Sequence, residues 1–334
     1  LTMSNKIIDV TGIGNAIVDV ISNTDDTFLS DNDIEKGAMN LVDAECSSQI
    51  YERMGSGLEM SGGSAANTVV GLARFGGKGA FIGKVKDDYF GRVFRRDINA
   101  AGVQFDTLNS TSGPPTASCL VLVTPDAQRS MNTHLGACVD LGPEDVDEDL
   151  INSSKVIYLE GYLWDPPRAK EAFLKAAAIA HANDSLVSLS LSDSFCVGRY
   201  RDEFRQLVEG HVDILFANED EIISLYKTSD FDAALQEVRG NCKAVVLTRG
   251  AKGSVVLSGE EVHVLDAEPT ARVVDTTGAG DLFAAGFLFG YTQGMDWARC
   301  GRLGGIAAGE IISHFGARPE ADLKALATEA LGGG

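Results

Sequence analysis

The fold is decided by the stretch VVDTTGAGDLFAAGFLFG, which covers residues 273–290. It begins with two β-branched residues typical of a strand end and then passes through Gly278, Ala279 and Gly280. After Asp281 it continues as an apolar run that is too long for a strand. We therefore predict a helix that starts at this small-residue turn. The free N–H groups of a helix start bind anions, and small residues let a phosphate approach them closely.

Asp281 is predicted to lie on the first turn of this helix. A carboxylate beside anion-binding amides can accept the proton of a hydroxyl group while the amides hold a phosphoryl group, which suits phosphoryl transfer to an alcohol. The alternative is a plain glycine-rich turn in which Asp281 caps its own helix. The presence of Asp275, Thr276 and Thr277 just before the small residues favours the phosphate interpretation.

Composition sets the limits for fold and partners. The chain has 334 residues, of which 44% are hydrophobic and 23% charged, and its net charge is −20. A sizeable core is therefore available for one large α/β domain or two smaller ones. The negative charge argues against nucleic acid or an anionic membrane as a partner, but it does not exclude a small anionic ligand.

The cysteines and histidines show no spacing typical of a metal site. The six cysteines include no CxxC pair, and the five histidines are scattered along the chain. We expect reduced thiols in a cytoplasmic protein rather than disulfides or zinc. No run of about 18 apolar residues occurs, so we predict no membrane span.

Strand and helix patterns alternate regularly in the second half of the chain. Strands are predicted at 155–159, 186–191, 213–217 and 244–248, and helices at 168–182, 201–209, 219–226 and 231–239. Such alternation predicts an α/β fold with a doubly wound, mostly parallel sheet.

The first half contains more β-rich pieces. Residues 116–123 and 128–133 flank a Pro-Asp turn and predict a hairpin. The segments 15–45 and 103–135 are expected to form a small β-rich lid over the carboxyl edge of the main sheet. We assign one domain to residues 1–330 and a flexible tail to 331–334.

Two glycine-rich segments in the first half are candidate ligand loops. Ser64 and Asn67 follow a glycine pair and can hydrogen-bond hydroxyl groups, although Ser64 is also a plausible helix N-cap. Asn15 and Asp19 follow a GxG turn that lacks the third glycine of a dinucleotide fingerprint. These two side chains either face a substrate or are ordinary turn residues.

Two further segments follow predicted strands. Asn218 and Glu221 belong to an acidic run that can hold Mg²⁺ through water or simply complement a helix dipole. Thr248, Gly250 and Gly253 lie in a loop that contacts a nucleotide or forms a plain hairpin turn; a strand's carboxyl end favours the ligand interpretation. No P-loop motif occurs.

Over nearly its full length the chain resembles the ribokinase-like (PfkB) carbohydrate and nucleoside kinases. The blocks GGSAAN…GLARFGG and VDTTGAGDLFAAGF resemble the two signatures of that family. The resemblance implies a ribokinase-like fold that uses ATP and Mg²⁺. It implies Asp281 as catalytic base, the Gly278, Ala279 and Gly280 amides as anion hole, and Glu221 as a magnesium residue acting through water.

The resemblance also implies the remaining site residues. Nucleotide contacts are expected from Asn218, Glu221, Thr248, Gly250, Gly253 and Gly304. A monovalent cation such as K⁺ is expected near Asp275, Thr277 and Gly316.

Within the family the chain is most similar to the adenosine kinases. Arg129 matches an arginine that reaches the transferred phosphate, and Tyr162 and Phe195 match residues that would stack on a purine. Thr277 and Met39 differ from residues often found in adenosine kinases, and this leaves other acceptors open. Substrate contacts are expected from Asn15, Asp19, Gly62, Gly63, Ser64, Asn67, Leu135, Tyr162 and Phe195.

The function expected from the sequence is ATP-dependent phosphorylation of a primary hydroxyl group. Adenosine, converted to AMP, is the first candidate acceptor, and the alternative is a sugar of the ribose or fructose type. A non-catalytic nucleotide-binding protein on the same fold is the third hypothesis. We expect only small-molecule substrates as partners and a monomer or homodimer.

Overall fold

The computed structural model describes residues 6–270 and 272–332, and it contains two β-sheets with helices packed around the larger one. Residues 333 and 334 of the predicted tail lie outside the described residues. The strands are β1 (Ile8–Ile13), β2 (Ile17–Asn23), β3 (Met39–Leu41), β4 (Leu58–Gly62), β5 (Gly79–Ile82), β6 (Val103–Gln104), β7 (Ala117–Val123), β8 (Arg129–His134), β9 (Ser154–Glu160), β10 (Leu186–Ser190), β11 (Ile214–Asn218), β12 (Ala244–Thr248), β13 (Ser254–Ser258) and β14 (Glu261–Leu265).

The helices connect these strands and cover both faces of the large sheet. They are α1 (Asp26–Asp31), α2 (Ala44–Arg53), α3 (Ser64–Arg74), α4 (Tyr89–Ala100), α5 (Glu148–Asn152), α6 (Pro167–Ala182), α7 (Ser194–Arg199), α8 (Arg201–His211), α9 (Glu219–Tyr226), α10 (Phe231–Val238), α11 (Ala279–Thr292), α12 (Trp297–Ile311) and α13 (Leu323–Ala330). Among the described residues, no helix combines the length and the apolar character needed to cross a membrane.

The large sheet confirms the predicted doubly wound α/β fold. Within the described residues it has nine strands in the order β14-β13-β12-β11-β10-β9-β1-β5-β6. The strands from β12 to β6 in this order pair in parallel, and β13 and β14 add an antiparallel edge. Successive side chains of one strand enter opposite cores: Ile157 packs with α6 and α8, whereas Val156 and Tyr158 pack on the face of α3 and α11.

The small sheet has, in the described part of the chain, five strands in the order β3-β8-β7-β2-β4. The predicted hairpin is present as the antiparallel pair β7 and β8. Two strands differ from the predicted lid segments: β4 lies outside them but pairs with β2, and β6 lies inside one of them but pairs with β5 of the large sheet. Both strands are short, so their side-chain alternation is too brief to recognise in the sequence.

The parallel strands place polar residues along one edge of the large sheet. Asn15 follows β1, and Glu160, Asn218 and Thr248 are the last residues of β9, β11 and β12. Because the carboxyl ends of parallel strands meet at the same edge, these four residues face a common region.

The helix that the signature stretch predicts is α11, and it packs very closely against α12. A Cβ atom added to Gly286 would lie 2.3 Å from the carbonyl oxygen of Leu303, and one added to Gly304 would lie 2.8 Å from that of Phe283. Gly304, expected to contact the nucleotide, is buried and packs against α11. Gly301 and Gly305 of the same helix line the cleft described below.

This close packing predicts the effect of adding one methyl group. We expect Gly286→Ala to lower the free energy of unfolding by about 1–3 kcal/mol, because the contacting atoms are backbone and cannot move aside. The measurement is urea denaturation followed by circular dichroism.

The matched control is Gly210→Ala in the exposed part of α8, where an added Cβ meets nothing within 4 Å. That change should be neutral or stabilising by up to about 1 kcal/mol. Equal effects of the two substitutions would contradict the packing argument.

Candidate active site

A large cleft runs along the carboxyl edge of the large sheet and is also lined by residues of the small sheet. Its volume is about 1670 Å³. Pockets for one drug-sized ligand usually measure roughly 300–1,000 Å³. The cleft therefore has room for two ligands side by side, as a transfer reaction between two substrates requires.

Asp281 lies at the first turn of α11 and lines this cleft. Its carboxylate accepts hydrogen bonds from the Ser64 hydroxyl at 2.6 Å and from the Asn67 side-chain amide at 3.0 Å. Burial raises the pKa of Asp281 above its ordinary value, while these two hydrogen bonds and the charge of Arg318 act in the opposite direction. The structure brings together Ser64 and Asn67, predicted to contact a substrate, as donors to Asp281.

The turn before α11 has the geometry of an anion site. Gly278 adopts a left-handed conformation with φ of 79°, and a Cβ atom added to Gly280 would meet nothing within 4 Å. The Ala279 amide differs from the prediction, since it donates to the carbonyl oxygen of Thr276 at 3.2 Å. The amides of Gly278 and Gly280 are therefore the better candidates for binding a phosphate.

Glu160 is a site residue that the sequence analysis missed. Its carboxylate accepts from the Asn15 side-chain amide at 2.7 Å, from the Asn15 backbone amide at 3.3 Å and from the Ala65 amide at 2.9 Å. Only 1% of Glu160 is exposed, and burial raises its pKa to about 7. The available signal was an acidic residue directly after the buried run 156–159 of β9.

Asp19 lines the cleft from β2 of the small sheet. Burial raises its pKa to about 6, against the opposing charges of Arg318 and Arg129. Gly62, predicted to contact a substrate, packs beside this carboxylate: an added Cβ would lie 2.3 Å from an Asp19 oxygen. Gly62 thus makes room for Asp19, whereas Gly63 lines the cleft itself.

Arg129 lies on β8 and reaches the loop before α11. Its Nη1 donates to the Asp275 carboxylate and lies 3.5 Å from the Thr277 hydroxyl oxygen. Burial opposes the ionised form of Asp275, but hydrogen bonds from Gly316 and Thr277 together with the charge of Arg129 lower its pKa. The structure therefore joins Arg129 to two residues that the sequence analysis assigned to a separate cation site.

The predicted nucleotide residues other than Gly304 line the cleft. Asn218 and Glu221 form a capping box at the start of α9, in which the Glu221 carboxylate accepts from the Asn218 backbone amide at 2.9 Å and from its side-chain amide at 2.7 Å. Burial raises the pKa of Glu221 to about 7. Thr248, Gly250 and Gly253 lie on the same side of the cleft.

The two predicted aromatic residues are not part of the core. Tyr162 is 44% exposed and Phe195 is 84% exposed, and both line the cleft together with Leu135. Large aromatic side chains bury about 150–250 Å² when they pack, so exposed rings inside a cleft leave much apolar area available to a ligand.

Arg318 is the second residue that the sequence analysis missed. It donates to the backbone carbonyl of Ser61, to the Ser61 hydroxyl at 2.8 Å and to the Ala66 carbonyl at 3.4 Å. Its positive charge lowers the pKa values of Asp19 and Asp281 and so acts against the effect of their burial. No local pattern marks Arg318, because it lies in an irregular segment after α12.

Comparison with known proteins identifies the family. The model of the pfkB family of carbohydrate kinases matches residues 39–323, and the chain belongs to this family. The fold is similar to the crystal structure of adenosine kinase from Sinorhizobium meliloti, with a TM-score of 0.88 and 53% identity over 97% of this chain and 99% of that one.

Two further relatives are a sugar kinase protein and a second adenosine kinase. A probable sugar kinase protein from Rhizobium etli CFN 42 has a TM-score of 0.89 and 53% identity over 97% of this chain and 99% of that one. Adenosine kinase of Saccharomyces cerevisiae is 27% identical over 309 residues, which cover 85% of this chain and 88% of that protein. The chain is thus an ATP-dependent kinase of the nucleoside and sugar kinase group.

The buried Glu160 predicts an unusual dependence of stability on pH. Its folded pKa of about 7 lies above the ordinary value of 4.5, so the folded state binds more protons than the unfolded state between these values. Stability should therefore fall as pH rises through this window. Glu160→Gln removes the titrating group, so between pH 4.5 and pH 8 its free energy of unfolding relative to the wild type should shift by roughly 1–3 kcal/mol in favour of the variant.

Urea denaturation at a series of pH values measures this difference. Glu52→Gln on the exposed surface of α2 is the matched control and should follow the wild-type curve. A constant difference between Glu160→Gln and the wild type at all pH values would show that Glu160 is not the titrating group.

Proposed function

We propose that this kinase transfers the γ-phosphoryl group of ATP to the primary hydroxyl of adenosine and produces AMP. The observation that carries the proposal is the pair of exposed aromatic rings, Tyr162 and Phe195, inside the cleft that also contains Asp281. A purine base offers a planar surface for stacking on such rings. The 53% identity to the Sinorhizobium meliloti adenosine kinase supports the same acceptor.

The proposed base is Asp281. Its carboxylate would accept the proton of the acceptor hydroxyl while the oxygen of that hydroxyl forms a bond to phosphorus and ADP leaves. Ser64 and Asn67 hold the carboxylate in one orientation, which is the positioning that proton transfer needs. The amides of Gly278 and Gly280 would stabilise the negative charge of the transferred group.

The nucleotide would lie on the side of Asn218, Thr248, Gly250 and Gly253. The buried Glu221 fits a magnesium site through water rather than direct contact, because both of its oxygens already accept hydrogen bonds from Asn218. When bound, Mg²⁺ supplies positive charge to the phosphates. Asn218 keeps the Glu221 carboxylate in place for that water shell.

The acceptor's ribose would lie near Asn15, Asp19 and Gly63. The Asp19 carboxylate can accept hydrogen bonds from two hydroxyl groups, and Leu135 lines the same cleft. A free sugar of the ribose or fructose type would use Asp19 equally well. The similarity to the Rhizobium etli sugar kinase protein supports a free sugar as the second candidate acceptor. The aromatic rings distinguish the two acceptors, because only a nucleoside has a planar base that can stack on them.

The acceptor is tested by ADP release with ATP and Mg²⁺ against adenosine, guanosine, inosine, ribose and fructose. We expect turnover on adenosine and none on the free sugars. Phe195→Ala should raise the KM for adenosine about 5- to 100-fold, since stacking contributes about 1–3 kcal/mol per base. Leu108→Ala, which changes an equally exposed residue outside the cleft, should leave KM unchanged. Turnover on a sugar alone would reject adenosine and leave the family assignment intact.

The base is tested by Asp281→Asn. This change keeps the size of the side chain but removes the proton acceptor, so we expect kcat to fall about 10²- to 10⁴-fold. Circular dichroism and thermal unfolding should show a folded protein. Asp220→Asn, an acidic residue that lines the same cleft but is not given a role in proton transfer, is the control. Full activity of Asp281→Asn would exclude Asp281 as the base.

A further inference from the structure

We propose that the guanidinium group of Arg129 supplies the positive charge at Asp275 that the resemblance assigned to a monovalent cation, so that this kinase works without K⁺. The resemblance places that cation near Asp275, Thr277 and Gly316. In the structure, the Arg129 guanidinium contacts the side chains of both Asp275 and Thr277.

The Asp275 carboxylate has its hydrogen-bonding capacity filled by the protein. One oxygen accepts from Arg129 and from the Gly316 amide at 3.0 Å. The other accepts from the Thr277 amide at 3.0 Å and from the Thr277 hydroxyl at 2.7 Å. An ionised carboxylate offers about four acceptor positions, so these four donors occupy them. A cation could reach Asp275 only by displacing one of them.

Charge and burial favour arginine in this position. The Asp275 side chain is 8% exposed and that of Arg129 is 13% exposed, so water stabilises neither charge well. A guanidinium is permanently charged and more weakly hydrated than an ammonium group, which makes it suitable for a partly buried ion pair. Arg129 Nη1 also lies 3.5 Å from the hydroxyl oxygen of Thr277, another residue expected near the cation.

The ion pair joins two parts of the fold. Arg129 is the first residue of β8 in the small sheet, and Asp275 lies three residues before Gly278, the N-cap of α11. Arg129 therefore acts as a positioning residue, since it fixes the loop that leads into the proposed anion hole. Within the described residues, the buried Nε of Arg129 has no hydrogen-bond partner.

The test compares salts at equal ionic strength. Thermal unfolding and, separately, kinase turnover are measured in KCl and in choline chloride for the wild type, Arg129→Gln and Arg129→Gln with Asp275→Asn. We expect the wild type to show the same unfolding midpoint in both salts and rates that agree within about twofold. Arg129→Gln should unfold at a higher temperature in KCl than in choline chloride, because K⁺ can then reach the unpaired Asp275 carboxylate.

The double variant should lose this K⁺ response, because Asp275→Asn removes the charge that attracts the cation. The matched control is Arg168→Gln, which breaks an exposed ion pair with Glu144 and should create no response to K⁺. If Arg129→Gln fails to fold, the comparison of the wild type in the two salts still shows whether the kinase needs K⁺.

Two results would overturn the proposal. The first is wild-type turnover that falls more than about tenfold when choline replaces K⁺. The second is a folded Arg129→Gln variant whose unfolding midpoint is the same in both salts. The thermal measurement needs no substrate, so it remains valid if adenosine is not the acceptor.

Discussion

The site depends on a buried carboxylate, Glu160, whose hydrogen-bond partners are amide groups. It holds Asn15 at the end of β1 and the Ala65 amide at the start of α3. Helix α3 in turn carries Ser64 and Asn67, which orient Asp281 on α11. The position of the proposed base is therefore set by a chain of contacts from the sheet edge through one helix to another.

This arrangement concentrates negative charge in a protein whose net charge is already −20. Asp19, Glu160 and Glu221 all have raised pKa values because burial disfavours their ionised forms. A phosphorylated substrate would be repelled by such a site unless positive charge were provided locally. The helix starts supply part of it, and Arg129 and Arg318 add positive charge near Asp19.

The sequence was sufficient for the regular parts of the fold, because periodic apolar residues identify strands and helices without tertiary information. It also located Asp281, since a small-residue turn before an apolar helix has few other uses. It could not supply contacts that depend on which partner is near in space. The sequence analysis did not predict that Ser64 and Asn67 donate to Asp281, or that Gly304 packs against α11. The partners in these contacts are more than 200 residues apart for Asp281, and no local pattern records them.

The choice of acceptor is harder to predict from the sequence than the phosphoryl transfer itself. The residues proposed for phosphoryl transfer lie at the sheet edge and at two helix starts, which the sequence pattern predicts. The acceptor is decided by a few side chains on the inner face of the small sheet, among them Met39 and Met131, which line the cleft with Tyr162 and Phe195. A free sugar bound at Asp19 would leave these apolar side chains in contact with water. A nucleoside could place its base there and present its ribose to Asp19, and this difference favours adenosine over a free sugar as the acceptor.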